Sequence, residues 1–486
     1  MAKSILLRGG TALIHQEGDV VVAEKTDILI VGNNIEKIGK SLSADDAEVL
    51  DCTGKLISPG FVDTHHHLWQ TQLKGRHANQ MLLEYMPTGN VAVYAYQAED
   101  VLIGQLAGMM ELVDAGVTTV VDHSHSVYSP QHADAALTAS IRSGMRSIFC
   151  YSTTFRVEDW TEDKFKLAEE ILPPWFMEHF NKLAAGGPYA DGRVQLGFGY
   201  DALFMPPEVN QKIFKSVRDA GSKLITLHWM RMPVVGQQSS VRLMDEQGLA
   251  GPDILISHGN QMDDEEAALV RKHGMSISST PMTELQMGHG MPMAYDARVR
   301  ACASLGVDCH SSGAGDMITQ MRVGLQAERG RFNQNYVDKG ENPWTCKQTV
   351  EDAFNLATIK GARACKMEGQ IGSIAEGKLA DLIIFDGQSP AMVCGAVKNP
   401  IASIVMHSSV KDVETVIVDG IIRKRDGKLL PVEGDGGAKL TWSDVARELD
   451  KSFQAVEGRA SKLNYDMGLE ALGAVFRLDW NKFPDI

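Results

Sequence analysis

The sequence predicts an α/β fold: a (β/α)8 TIM-type barrel with a small β-sandwich domain formed by both chain ends. Three observations carry this expectation. Short apolar runs alternate with amphipathic helical periods through the middle of the chain, short β-branched runs broken by glycine turns occupy both ends, and metal-ligating residue types terminate several of the middle strands. At 486 residues the chain is too long for one ordinary domain. The expected division is a β domain from 1–58 plus 368–435, a barrel over 59–367, and a C-terminal helical extension over 436–486.

At the start of the chain, residues 4–7, 20–22, 27–31 and 35–38 read as strands separated by glycine-containing turns. The far end repeats that texture at 372–374, 382–385, 415–418 and 421–424, with Asp419-Gly420 as a two-residue hairpin turn. Neither group is large enough to be stable alone, so the two ends are expected to share one domain. Between them the barrel strands are expected at 56–63, 118–122, 146–151, 194–200, 223–228, 254–257, 276–278 and 307–308. The clearest helix is 99–114, apolar at Val101, Leu102, Leu106, Met109, Met110 and Val113. A doubly wound sheet would carry a glycine-rich phosphate loop after its first strand, and none is present. From about Leu440 the chain is helical and polar, suited to folding over the barrel or packing against a second subunit.

Composition narrows the partners. Hydrophobic residues make up 44% and charged residues 22%, the balance of a globular protein. The net charge of −15 comes without any basic stripe, which argues against nucleic acid as a partner. No run of about 18 apolar residues suggests a membrane span, and the first ten residues lack the apolar core of a secretory signal. Seven scattered cysteines without a CxxC pair read as free thiols in a reducing, cytoplasmic compartment. The expected partners are a small-molecule substrate and a further copy of the chain, in a homo-oligomer (dimer or tetramer).

Barrel chemistry sits at the carboxyl ends of the strands. There the first strand carries His65, His66 and His67, the fifth His228, the sixth His258 and the eighth Asp308. Strand alternation sends His65 and His67 together into the mouth and His66 outward. With His228 and Asp308 they make a shell for one divalent ion, zinc first and iron as the alternative. Asp308 can also take a proton from water, and His258 reads as a neighbour of the attacking water or the substrate. Residues 194–200 lack the carboxylate or lysine that a two-metal site would want, which favours one ion. His123 and His125 form a second His-x-His after strand two; His125 is a candidate substrate contact, and Asp122 a candidate hydrogen-bond partner for either ring. His310 and Ser311 are weaker candidates, and the methionines at 275, 282, 287, 291 and 293 read as loop packing.

Pro59-Gly60-Phe61-Val62-Asp63-Thr64-His65-His66-His67 resembles the opening signature of the amidohydrolase superfamily, and residues 372–385 resemble its closing one. Residues 115–122 and 305–308 follow in the order that the family uses, so the resemblance spans roughly residues 5 to 430. The chain is most similar to the branch of cytosine deaminase, S-adenosylhomocysteine deaminase and chlorotriazine hydrolase. That resemblance implies one zinc or iron ion, a metal-bound hydroxide, and hydrolysis at an sp² carbon bearing nitrogen. It also implies that Gln70 and the arm Lys74-Gly75-Arg76 through Glu84-Tyr85-Met86 wall the pocket.

One departure matters. Deaminases of this branch place a Glu three residues after the strand-five His, whereas this chain has Arg231 there. A guanidinium cannot serve as that acid, since its pKa exceeds about 12. It can clamp a substrate anion instead, or make an outward salt bridge on the loop. The reading is a metal-dependent hydrolase that cleaves a C–N bond, by deamination or amide or cyclic amidine hydrolysis, in a small cyclic or aromatic substrate. Its rivals are dechlorination or decarboxylation by the same shell, and a catalytically silent scaffold.

Overall fold

The computed structural model describes residues 4–236 and 238–484. It opens with β1 (Ser4–His15), β2 (Val21–Val31), β3 (Asn34–Gly39), β4 (Glu48–Asp51) and β5 (Leu56–Pro59). The separate strands expected at 20–22 and 27–31 are one strand, because β2 pairs antiparallel with β1 along its whole length and a bulge between Leu7 and Gly10 absorbs the bend. The run expected at 56–63 divides instead at Gly60. Its first half is β5, paired with β1; its second half is β6 (Phe61–His66), the first barrel strand. Glycine is required at that corner, since a Cβ there would lie 2.1 Å from Thr118 Oγ1.

The barrel continues through β7 (Val117–Ser124) and β8 (Arg146–Ser152). An excursion, the hairpin β9 (Val157–Trp160) and β10 (Phe165–Leu167), follows. The barrel then resumes with β11 (Val194–Gly199), β12 (Ile225–Trp229), β13 (Ile254–His258), β14 (Ser276–Ser279) and β15 (Ala303–Leu305). The eight barrel strands run in the order β6-β7-β8-β11-β12-β13-β14-β15, every pairing parallel. They are buried on both faces, as parallel strands under helices must be, which is why they read as apolar runs rather than alternations. The helix Ala98–Asp114 covers one flank, started by a reciprocal cap between Gln97 and Asp100.

Closure differs from the expectation. The eighth strand is β15, and Val307–Asp308 lies beyond it, where Asp308 forms an isolated parallel bridge to His66. The Asp308 N–H donates to His65 O at 2.8 Å, and the His67 N–H donates to Asp308 O at 3.0 Å. Gly306 makes this approach feasible, because a Cβ there would sit 2.8 Å from the His65 nitrogen.

Both chain ends then meet. β16 (Leu382–Phe385), β17 (Val413–Val418), β18 (Ile421–Arg425) and β19 (Lys428–Leu429) extend β5 and β1 into one nine-stranded mixed sheet. Asp419-Gly420 turns β17 into β18 with φ of 54° and 73°, the left-handed pair a tight hairpin needs. Residues 372–374 are not a strand: Gly372 turns at φ 81° against Ala362, and Ile374 is buried in the core of the sheet. The C-terminal helices Trp442–Ala460 and Tyr465–Val475 lie on this chain's own barrel; Arg459 pairs with Asp100, and Gln72 Nε2 donates to Ser452 Oγ at 2.9 Å.

Barrel and sheet are joined by Arg146, whose buried guanidinium donates to Asp381 Oδ2 at 2.8 Å and to Asp419 Oδ1 at 2.9 Å. Arg146→Met would leave buried Asp381 without its cation and Asp419 with only Arg193, at 3.5 Å. The expected loss is about 3–5 kcal/mol, read as a lowered midpoint of urea unfolding.

Candidate metal centre

His65, His67, His228 and Asp308 are brought together by β6, β12 and the turn after β15, with one ligand atom from each lying within 4.8 Å of the others. The scaffold fixes which imidazole nitrogen faces inward. His67 Nδ1 donates to the carbonyl of His123 at 2.7 Å, and a carbonyl can only accept. His228 Nδ1 donates to Asp201 Oδ2 at 2.9 Å, and His65 Nδ1 lies 2.8 Å from Ser257 Oγ. Burial pushes His65 and His67 below the ordinary histidine range, so both rings are neutral at pH 7. Burial alone would raise the Asp308 carboxyl, but the histidine rings that surround it, those of His65, His67 and His258, hold it well below the carboxylate range.

The consequence is an electron-rich contact. The Nε2 atom of neutral His67 carries only a lone pair, yet it faces the ionised Asp308 Oδ1 at 3.2 Å and His228 Nε2 at 3.1 Å. His65 Nε2 faces the same oxygen at 3.1 Å. His67 Nε2 and Asp308 Oδ1, two acceptors in contact, fit a divalent cation of the kind that takes imidazole nitrogen and carboxylate oxygen.

Asp201 is the residue that the sequence reading missed. It follows Tyr200, the last residue expected in strand four, and a search one position further would have found a carboxylate at a strand end. Its Oδ1 accepts from the His228 N–H at 2.7 Å, and its Oδ2 accepts from His228 Nδ1 and lies 3.2 Å from His123 Nε2. His123, Asp201 and His228 also group within 4.8 Å. With both oxygens engaged by His228, Asp201 braces that ring and turns its Nε2 inward.

His258 reaches the centre from β13, its ring centroid 5.5 Å from that of His65. Its Nδ1 is 3.0 Å from Thr280 Oγ1, and burial pushes it down to about 4, so it is neutral. His258 and Asp308 hold left-handed backbones at φ 73° and 67°, each costing about 1–3 kcal/mol that the surrounding bonds must offset. His125 stacks on His67 with centroids 3.9 Å apart; its Nδ1 accepts from Trp69 Nε1, and its Nε2 is buried without a partner among the described residues.

Other candidates lie elsewhere. Arg231 makes the alternative that the sequence left open, a salt bridge on the loop: its guanidinium donates to Asp263 Oδ2 at 2.9 Å and Glu266 Oε1 at 2.6 Å. The reason is local, since these carboxylates crowd the start of the helix Asp264–Lys272 and the Arg231 N–H is tied to Asn260 O. Gln70 lies against the segment 74–86, donating to Tyr85 Oη at 2.7 Å and accepting from Ser311 Oγ at 3.2 Å. His66 points outward to Asp63 Oδ2 and to His310, which places His310 behind the strand rather than in the mouth. Asp122 accepts from Gln105, not from His123 or His125.

His65→Ala, His67→Ala and His228→Ala are each expected to strip bound metal while leaving the circular dichroism of the barrel intact. Asp201→Asn should loosen the ion about 10–100-fold in a competitive chelator titration, the range found when a partner of a ligating histidine is removed. Unchanged metal affinity in Asp201→Asn would remove Asp201 from the centre.

Comparison with known proteins gives the same picture. The model of the amidohydrolase family matches residues 56–423. A 5-methylthioadenosine/S-adenosylhomocysteine deaminase of Thermococcus onnurineus is 26% identical over 439 residues, covering 88% of this chain and 95% of that one. A 5'-deoxyadenosine deaminase of Methanosphaera stadtmanae is 27% identical over 451 residues, covering 88% and 95%. An adenosine deaminase of Xanthomonas campestris with bound zinc shares the fold at TM-score 0.75 and 18% identity, over 94% of this chain and 99% of that one. An atrazine chlorohydrolase of Arthrobacter aurescens complexed with zinc does so at 0.74 and 18%, over 93% and 100%. By its sequence, over the whole barrel and the strands that flank it, this chain belongs to the amidohydrolase family.

Proposed function

We propose that this metal-dependent hydrolase holds a single zinc ion on His65, His67, His228 and Asp308 and releases an amino group from a small nitrogen heterocycle. The observation that carries the reading is the bare Nε2 of His67 against the ionised Asp308 Oδ1 at 3.2 Å, two acceptors that need a cation between them. Such an ion supplies Lewis-acid activation of water and of the carbon attacked. Asp308 takes the proton that water loses as its oxygen adds to the sp² carbon. Asp308 passes that proton through His258, held by Thr280, to the departing nitrogen, which leaves as ammonia, and the remaining hydroxyl proton moves to the ring nitrogen as the carbon becomes a carbonyl. Gln70 and His125 contact the ring of the substrate in this reading.

The relatives named for 5'-deoxyadenosine, methylthioadenosine and S-adenosylhomocysteine make aminopurine nucleosides the first compounds to try. A second reading rests on Arg231. With its guanidinium on Asp263 and Glu266 and no Glu at that position, protonation of a ring nitrogen lacks its usual donor, which favours a leaving group such as chloride that needs no proton. We also infer a cytoplasmic protein, supported by seven free cysteines. A homo-oligomer is supported by the exposed Trp344 and Val397.

The zinc-loaded enzyme is expected to release ammonia from at least one of adenosine, 5'-deoxyadenosine, 5'-methylthioadenosine and cytosine, and Asp308→Asn should lower kcat by about 10²–10⁴-fold. Chloride release from a chlorotriazine without ammonia from any amine would favour the second reading. Near-normal kcat in Asp308→Asn would take the base away from Asp308.

A further inference from the structure

The segment after β14 builds a second wall beside the metal centre. Glu284, in the short helix Pro281–Gln286, accepts from Ser279 Oγ at 2.8 Å and from the Thr280 N–H at 2.7 Å, and so locks that helix to the end of the strand. The chain then turns through Gly288 (φ 76°), His289 and Gly290 (φ 103°). Backbone bonds pin the turn on both sides: the His289 N–H donates to Glu284 O at 3.1 Å, and His289 O accepts from Gln261 Nε2 at 3.0 Å.

The His289 side chain is treated differently. Its ring is 1% exposed, and neither nitrogen has a hydrogen-bond partner among the described residues. It stands edge-on to His258, centroids 4.8 Å apart at 76°, and feels the charges of Asp308 and His228. A buried imidazole left with one donor and one acceptor unmet costs stability, and a fold that ties down its backbone this firmly had every opportunity to satisfy it. Across the centre, His125 presents a second buried nitrogen without a partner. Burial keeps the His289 ring neutral, and the cation expected at this mouth, Arg231, is held by carboxylates elsewhere.

We propose that His289 is a substrate-binding residue, which pairs through a ring nitrogen with a polar ring atom of an uncharged heterocycle held between it and His125. This rests on the reading of the site as a hydrolase of C–N bonds in cyclic substrates, and it adds a specificity determinant from the strand-seven side. A neutral imidazole offers either a donor or an acceptor to the lactam or amidine edge of such a ring, and nothing to attract a carboxylate.

The test compares His289→Leu and His289→Asn with the unaltered zinc-loaded enzyme, using whichever of adenosine, 5'-deoxyadenosine, 5'-methylthioadenosine and cytosine that enzyme deaminates fastest. His289→Leu should melt at the same temperature or higher, since it removes an unmet polar group, yet lose about tenfold or more in kcat/KM, chiefly through KM. His289→Asn, which keeps a donor and an acceptor, should recover part of that loss. A His289→Leu variant with unchanged kcat/KM overturns the proposal. So does one whose melting temperature falls by several degrees, for then the ring serves the fold. If the unaltered enzyme deaminates none of the four, the reading of the reaction fails on its own. Melting then decides for His289: a lowered temperature counts against it, an equal or higher one supports it.

Discussion

The backbone of Asp308 carries two tasks at once. Its N–H and C=O are tied to His65 and His67, which closes the barrel between the first strand and the turn after β15. The same pairing delivers its carboxylate to the Nε2 atoms of those two histidines. Closing the barrel and assembling the donor set are therefore one event, bought with a left-handed residue that would be disfavoured in isolation. Gly306 is part of that constraint, since any side chain there would push the turn off the first strand.

Around this junction the polar groups divide into two populations. The rings of His67 and His228 have their outer nitrogens bonded to the carbonyl of His123 and the carboxylate of Asp201, which settles their rotation and tautomer. His125 and His289 keep buried nitrogens that no described residue meets. The rings whose Nε2 atoms face Asp308 are thus held from behind, while the flanking ones keep open groups that would gain most from a partner. The long C-terminal helices reinforce the wall from outside, through Arg459 on Asp100 and Ser452 on Gln72, without entering the donor set.

Much of this was legible in the chain itself. Parallel strands buried on both faces produce runs of Val, Ile and Leu, and those runs located most of the barrel strands, while the residue types at their ends picked out His65, His67, His228, His258 and Asp308. The reading lost accuracy where an element's identity depends on what it pairs with. Residues 56–63 look like one strand, and only their partners, β1 on one side and β7 on the other, divide them at Gly60. Residues 372–374 have a strand's composition but turn against Ala362.

Local pattern by itself determined the alternation of strand and helix, the histidine pair on one face of the first strand and the carboxylate that answers it. Tertiary structure alone decided the direction of the side chains beyond the strands. Arg231 could reach the mouth or the neighbouring helix, and the choice fell to Asp263 and Glu266, carboxylates more than thirty residues away. Asp201 became the brace of His228, and His289 a buried ring without a partner, for the same reason. Short-range periodicity fixes which face of an element a residue occupies, but a hydrogen bond is specified by two atoms in space, and the second one comes from a part of the chain that no local pattern identifies.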